Sequence, residues 1–347
     1  MRRLFIFLFF ITASTIAFSQ HKTARVGAIG FYNFENLFDT EDDPKKLDEE
    51  FTPTGKKLWN EEIYHEKQQH LAKVVSELGT ELNPDGLAIL GVAEVENRKV
   101  LEDFVMQDAV KDRHYQIVHH ESPDRRGIDV ALLYQSKYYK VSESKAIPLL
   151  IFNDQGERVF TRDILLVGGT FDGDPLYVLV NHWPSRSGGE SATRDYRNAG
   201  ALRCKEISDS LSTINPATKV IIMGDLNDDP VSPSVKKVLR AQNKISKVRP
   251  KGFYNPMYDY YKKGIGTLAY RDAWSLFDQI ILNYPLVDPN SSGYHYYRTY
   301  IHNPSYLIQK KGRYKGYPFR TFDFDNYMGG YSDHFPVYVY LVKEVSQ

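Results

Sequence analysis

Four apolar runs in this chain, each of strand length, stop abruptly at polar residues. They are Phe31-Tyr32-Asn33-Phe34-Glu35, Ala93-Glu94-Val95-Glu96-Asn97, Met223-Gly224-Asp225-Leu226-Asn227, and Ser332-Asp333-His334 just ahead of Phe335-Pro336-Val337. A fifth irregularity is Asp278, an acid lodged between Phe277 and Ile280-Ile281-Leu282. A carboxylate in an apolar strand is costly to bury alone, so Asp278 needs a partner. Side chains carried on rigid strand ends are well placed for chemistry, so these ends are the candidate site.

The rest of the chain reads as one domain around those strands. Strands are expected at Val26 to Tyr32, Gly86 to Val92, Ile128 to Tyr134, Tyr139 to Ile147, Val159 to Gly168, Pro175 to Val180, Val220 to Met223, Phe277 to Leu282 and Val337 to Leu341. Helices are expected at Glu61 to Leu78, where Ile63, Leu71, Val74, Val75 and Leu78 share a face, and at Val100 to Val110, Ser191 to Ser212 and Ser234 to Ala241. Thr40 to Lys57 is charged and turn-rich, hence a loop, and residues 250–300 are dense in Tyr and Gly. Strands and a helix are followed by more strands and a helix, with no linker between. The expected fold is α/β (α+β), a four-layer sandwich of two mixed β-sheets packed face to face with helices outside, in one domain over residues 24–345.

Residues 1–19 are set apart from that domain. Arg2 and Arg3 precede an apolar run, Leu4 to Ile11, and Ala17 and Ser19 supply small residues where a signal peptidase reads. This is the layout of a secretory signal peptide cleaved after Ser19, which implies export to the periplasm or the exterior. The run falls short of the roughly 20 residues of a spanning helix, and no stable membrane insertion is expected. The one cysteine, Cys204, excludes an internal disulfide. Removing Arg2 and Arg3 from 44 basic residues against 44 acidic ones leaves a net charge of about −2. A non-specific nucleic-acid binder with a basic surface is thereby disfavoured, and a polyanionic substrate would need local basic patches.

Taken together, Asn33, Glu94, Gly224-Asp225-Leu226-Asn227, Phe277-Asp278-Gln279-Ile280 and Ser332-Asp333-His334-Phe335-Pro336 resemble the endonuclease/exonuclease/phosphatase (DNase I-like) superfamily, in its order and over nearly the whole chain. Val180-Asn181-His182-Trp183-Pro184-Ser185 and Arg126-Gly127-Ile128-Asp129-Val130 look most like an exported bacterial nuclease-like branch. The resemblance implies Glu94 as main metal ligand, with Asn33, Glu35 and Asp333 assisting. It implies Asp225 as base or orienting group for an attacking water, Asn227 and His182 as phosphate donors, and His334 paired with Asp278. Arg126 and Asn97 would contact substrate. Asp225 and Asn227 are two residues apart, so an extended segment points both the same way, although Asp and Asn also build turns. The acidic run Asp39, Glu41, Asp42 and Asp43 reads as a solvated loop.

The cofactor implied is Mg²⁺ or Mn²⁺, hard cations that suit carboxylate oxygens, with Ca²⁺ as an alternative. No Cys-rich or His-x-x-x-His pattern suggests zinc, and Ser185 and Ser187 have no base that would make either a nucleophile. The activity expected is therefore phosphodiester hydrolysis by activated water, by an endonuclease acting on DNA, with RNA as a further substrate. The alternatives are a phosphatase or sphingomyelinase-type enzyme on inositol phosphates or lipid head groups, and a catalytically inactive binding module. The complete set of polar residues argues against the last. The Tyr-rich 250–300 segment suits base stacking or plain packing equally. The basic loop Lys310-Lys311-Gly312-Arg313-Tyr314-Lys315 favours a nucleic-acid substrate. No obligate protein partner is expected.

Overall fold

The computed structural model describes residues 23–345, so the expected signal segment, residues 1–19, lies outside the described residues. One sheet has the order β16 (His295–Ile301), β19 (Val337–Val345), β1 (Thr23–Leu37), β2 (Ile89–Val95), β4 (Asp129–Gln135), β3 (Tyr115–His119). The other runs β11 (Ala241–Gln242), β12 (Phe253–Tyr254), β15 (Asp278–Asn283), β10 (Lys219–Asp225), β9 (Asp174–His182), β8 (Ile164–Phe171), β5 (Tyr139–Ile147). Strands are numbered in chain order, and three short ribbons supply the rest: β6 (Ile151–Phe152) with β7 (Arg158–Val159), β13 (Leu268–Tyr270) with β14 (Ala273–Ser275), and β17 (Phe322–Asp323) with β18 (Asn326–Tyr327).

The two sheets share a plan. β1 and β2 are a parallel pair flanked by antiparallel β19 and β4, and β10 and β9 are a parallel pair flanked by antiparallel β15 and β8. Alternation along each strand sorts its side chains. Ala28, Tyr32 and Phe34 of β1 pack with Tyr64, Leu71 and Val74 of α1 (Glu61–Glu77) and with Phe104 of α2 (Arg98–Val105). Ile29 and Phe31, of the other parity, pack with Val178, Ile221 and Ile280 of the second sheet. On that sheet's outer side Leu179, Val220 and Ile222 meet Ala201 and Cys204 of α3 (Arg194–Ile214). The layers are thus helix, sheet, sheet, helix, as the order of strands and helices in the sequence implied. Each large aliphatic side chain buried between the sheets contributes about 1.5–3 kcal/mol relative to exposure.

The sheets approach so closely at Gly91 that a Cβ there would lie 2.6 Å from Met223 Sδ and 3.2 Å from Val180 Cγ1. The inner rows are Ile29, Phe31 on β1; Val178, Val180 on β9; Ile221, Met223 on β10; and Ile280, Leu282 on β15. Side chains two apart share a face. Asn33, His182, Asp225 and Asp278 therefore continue those rows at one rim of the inter-sheet core.

Several boundaries differ from expectation. β1 continues through Asn33 to Leu37, because its polar end still pairs with β2. The Val159 to Gly168 strand splits, with Arg158–Val159 in a ribbon and Ile164–Phe171 in the sheet. Ser234 to Ala241 shortens to one π-type turn, Ser234–Val238. β3 and β16 were not expected. β16 has mostly half-exposed Tyr and Arg residues, the composition of an edge strand without an apolar run. Much of the Tyr-rich segment is packing: Tyr254, Tyr260, Tyr261, Tyr294 and Tyr296 all lean on the inter-sheet core. Among the described residues, no helix is long and apolar enough to cross a membrane.

Candidate active site

The two central strands carry the same local device where they reach the rim. Glu35 N–H donates to Asn33 Oδ1 and Asn227 N–H donates to Asp225 Oδ1, each over 2.9 Å. These are Asx turns, in which a short polar side chain takes the place of a backbone acceptor. The residue two positions on is left-handed in both, φ 49° at Glu35 and 48° at Asn227. That conformation costs a non-glycine residue about 1–2 kcal/mol, and such strain clusters at functional sites. Each turn leaves one polar atom facing the rim, and the two meet: Asn33 Nδ2 donates to Asp225 Oδ2 over 3.2 Å. Gly224 makes the second turn possible, since a Cβ there would lie 2.1 Å from the Asn181 carbonyl oxygen.

Glu94 reaches the rim differently. By alternation it would follow Leu90 and Val92 toward the helices. Pairing with both neighbours skips it, Ala93 and Val95 being the registered residues, and its φ is 59°. This bulge re-aims its side chain. Glu94 Oε1 then accepts from Asn33 Nδ2 at 3.2 Å and Oε2 from Asn36 N–H at 3.0 Å.

The remaining strands add two histidines. His182 ends β9, with Nε2 3.6 Å from Asp225 Oδ2 and 3.8 Å from Glu94 Oε1. His334 lies just before β19; its Nδ1 donates to Asp278 Oδ2 over 2.7 Å, and its Nε2 is 3.9 Å from Asp225 Oδ2. Ser332 fixes this segment, with Oγ donating to the Asn33 carbonyl at 2.7 Å and accepting from His334 N–H at 3.1 Å. Asp278, fully buried, thus has the partner its position demanded.

Electrostatics set the two imidazoles apart. Burial lowers His182 well below the usual imidazole range, and the charges of Arg162, Arg126 and His334 push the same way, so it is neutral. Burial also works against a charged His334, but the charge and hydrogen bond of Asp278, with Asp225 and Asp333, override it and hold His334 well above that range. One site holds an imidazolium and a neutral imidazole. Asp225 is pushed up to about 7, first by burial, with Asp278 adding to it and His334 opposing.

The donor set fits a divalent cation. Glu94, His182 and Asp225 present ligand atoms within 4.8 Å of one another. Asn33 Nδ2 bridges the two carboxylates, and charged His334 lies 3.9 Å from Asp225 alone, so Glu94 has no cation of its own within the cluster. Two carboxylates and one imidazole are oxygen and nitrogen donors of the kind that divalent cations take.

The other expected residues sit at the margin or elsewhere. Asn227 Nδ2 donates to the Trp183 carbonyl at 2.9 Å. Asp333 Oδ1 is 3.9 Å from His334 Nε2, while its Oδ2 accepts from Arg320 at 2.7 Å. Glu35 is turned from the cluster: its Oε2 accepts from Thr321 N–H and Oγ1 at 2.7 and 2.8 Å, with Lys67 Nζ at 3.8 Å. Burial, then the charge of Asp333, pushes Glu35 up to about 7. Asn97 caps α2, accepting from Val100 N–H at 3.1 Å and donating to Asp39 at 3.0 Å. Arg126 is half exposed beside Asp124, at 3.5 Å.

Sequence reasoning passed over Arg162 and Lys67, and it placed Ser332 in a motif without giving it a role. Buried Arg162 donates to the carbonyls of His182 and Trp183 at 3.1 and 2.8 Å and to Asp124 at 2.9 Å, holding the end of β9. An Arg inside an expected strand was its only signal. Lys67 interrupts the apolar stripe between Ile63 and Leu71 of α1, which marks it as a buried lysine in need of partners.

A metal-gathering site on this sandwich defines a metal-dependent phosphoric ester hydrolase. The chain belongs to the Endonuclease/Exonuclease/phosphatase family, whose model matches residues 28–343. An endonuclease/exonuclease/phosphatase family protein from Bacteroides thetaiotaomicron superposes with TM-score 0.54 at 15% identity, covering 94% of this chain and 98% of that one. TDP2 from D. rerio, humanized by 14 mutations, gives 0.53 at 14% identity, covering 91% and 98%. D. rerio TDP2 complexed with single strand DNA product gives 0.51 at 15%, covering 91% and 98%. At these identities the likeness is one of fold. No curated protein gives a significant sequence match.

Proposed function

We propose that the protein is an exported, Mg²⁺- or Mn²⁺-dependent nuclease that hydrolyses phosphodiester bonds of DNA or RNA by attack of an activated water. The observation that carries this reading is the unbroken network from Glu94 through Asn33 to Asp225, with His182 on one side and the His334–Asp278 pair on the other. Glu94 and Asp225 would hold a divalent ion, which when bound would supply Lewis-acid polarisation of a phosphoryl oxygen and a lowered water pKa. Asp225 orients the water and accepts its proton. His334, kept charged by Asp278, donates from Nε2 to a phosphoryl oxygen, and neutral His182 donates its ring N–H to another. These groups are fixed before substrate arrives, which is the condition for electrostatic stabilisation of the developing charge.

Nucleic acid is favoured as substrate by the exposed basic loop at Lys310, Lys311, Arg313 and Lys315, next to the aromatic pair Tyr314–Tyr317 at 5.7 Å. The D. rerio TDP2 neighbour that holds a single strand DNA product supports the same reading. Export rests on the Arg2-Arg3, Leu4 to Ile11 and Ala17/Ser19 pattern. The test is a panel: mature protein with Mg²⁺, Mn²⁺ or Ca²⁺ against plasmid DNA, RNA, sphingomyelin and inositol phosphates. Cleavage of nucleic acid alone is expected. Turnover of sphingomyelin or inositol phosphates without nuclease activity would replace this reading with the phosphatase or phospholipase one.

A further inference from the structure

A cavity of about 770 Å³ opens beside the hydrolytic centre on the Asp333 side. It lies in the size range of small-ligand sites, about 300–1,000 Å³. One wall is the loop from Ser185 to Gly189; the other is the β13–β14 hairpin, with Tyr317 and Arg320 between. The hairpin turns on two residues, Arg271 and Asp272, both left-handed at φ 49° and 62°. A turn of this kind favours Asn-Gly or Asp-Gly. An arginine in its first central position is strained, and strain kept at a site rim is a sign of function.

The turn is held in place from below. Tyr317 Oη donates to Asp272 Oδ1 and accepts from Asp272 N–H, each over 2.6 Å. Arg271 is thereby carried at the cavity's edge, its guanidinium 5.1 Å from the Tyr270 ring centroid. The cavity's other guanidiniums are committed, Arg186 to Asp228 and Asp229 and Arg320 to Asp333. Arg271 makes no ion pair among the described residues. Tyr270, 67% exposed, leaves a large aromatic face uncovered beside it.

We infer that this cavity seats one unpaired nucleobase adjacent to the scissile phosphate, on the aromatic surface of Tyr270 and Tyr317, while Arg271 takes a second phosphate of the same strand. The inference rests on the nuclease reading above and narrows it to unpaired strands. Aromatic faces stack any base, but a base inside a duplex has no free face to offer. An inositol polyphosphate would need several uncommitted cations, and the cavity offers one.

Two measurements test this, one of them independent of turnover. Calorimetric binding of thymidine 3′,5′-bisphosphate in Ca²⁺ buffer is expected to weaken about tenfold in Arg271→Gly and in Tyr270→Ala. Hydrolysis of thymidine 5′-(4-nitrophenyl phosphate) is compared with that of its 3′-phosphorylated form. The wild type should prefer the latter through a lower KM, and Arg271→Gly should lose most of that preference. Glycine accepts the left-handed turn, so this variant should melt no lower than wild type, which excludes a folding defect. Unchanged binding and an undiminished 3′-phosphate preference in Arg271→Gly would overturn the inference. Binding that responds as expected, with no hydrolysis of any phosphodiester, would overturn the nuclease reading and leave the cavity assignment standing.

Discussion

His334 Nδ1 and Asp278 Oδ2 lie 2.7 Å apart although 56 residues separate them in the chain. One residue precedes β19 in the first sheet and the other opens β15 in the second. The contact therefore spans the two sheets at the rim of their shared core, and it forms only when the sheets pack in register.

That pairing makes His334 and Asp278 one functional unit. His334→Ala and Asp225→Ala are each expected to lower turnover about 10²-fold or more, the usual scale for acid–base and electrostatic groups. Asp278→Asn should cost less, since it disturbs only the orientation and charge of His334. The Asp278→Asn/His334→Ala double variant should be little worse than His334→Ala alone. Steady-state kinetics of the four variants decide it, and fully additive losses would break the assignment.

Glu94→Gln replaces a charged oxygen donor by a neutral one at the centre of the metal-gathering cluster. Activity should fall by orders of magnitude, and the metal concentration for half-activity should rise. Chelation of the wild type should abolish hydrolysis, with Mg²⁺ or Mn²⁺ restoring it. Full activity in excess chelator would end the metal hypothesis.

Arg162 touches no reacting group, yet it holds the carbonyls of His182 and Trp183 and is paired with buried Asp124. Arg162→Met leaves that carboxylate with only half-exposed Arg126, 3.5 Å away, so the loss should approach but not reach the roughly 3–5 kcal/mol of a fully broken buried pair. Denaturant melts should show that loss. A variant as stable as wild type would mean that Arg126 alone compensates Asp124.

Glu96 lies 6% exposed with Oε2 accepting from Asp39 N–H at 2.7 Å. Burial, with the charges of Asp39, Asp48 and Glu121 and against that hydrogen bond, pushes it up to about 8. An acid raised on folding contributes stability that is present below its unfolded value, about 4.3, and is lost as pH rises through its folded value. Glu96→Gln removes that loss. Its Tm relative to wild type should climb between pH 5 and pH 8; a difference that stays flat over this window would contradict the shift.

Export is tested at the N-terminus. Protein from the native host should begin at Gln20 or within a few residues of it. Recovery of intact Met1 from the cytoplasm would rule out cleavage.

The order of strand and helix segments was enough for the layer order, and the polar ends of the apolar runs, with the resemblance they carry, for most of the rim. Asn33, Asp225 and Asp278 sit on the parity of the inner rows, so once the strands are recognised their side chains have one face to occupy. Tertiary structure decided what depends on partners far along the chain. Glu94 reaches the rim only because a bulge against β1 and β4 reverses its parity. Glu35, although two residues from Asn33, is drawn off by Thr321, 286 residues away, and by Lys67. Asn97 is spent on capping α2, Arg162 is drawn under β9 by Asp124, and Arg271 reaches the cavity because Tyr317 latches its turn. Sequence alternation assigns a side chain to a face. Which atom then satisfies it is settled by whatever donor or charge the fold brings within about 3 Å.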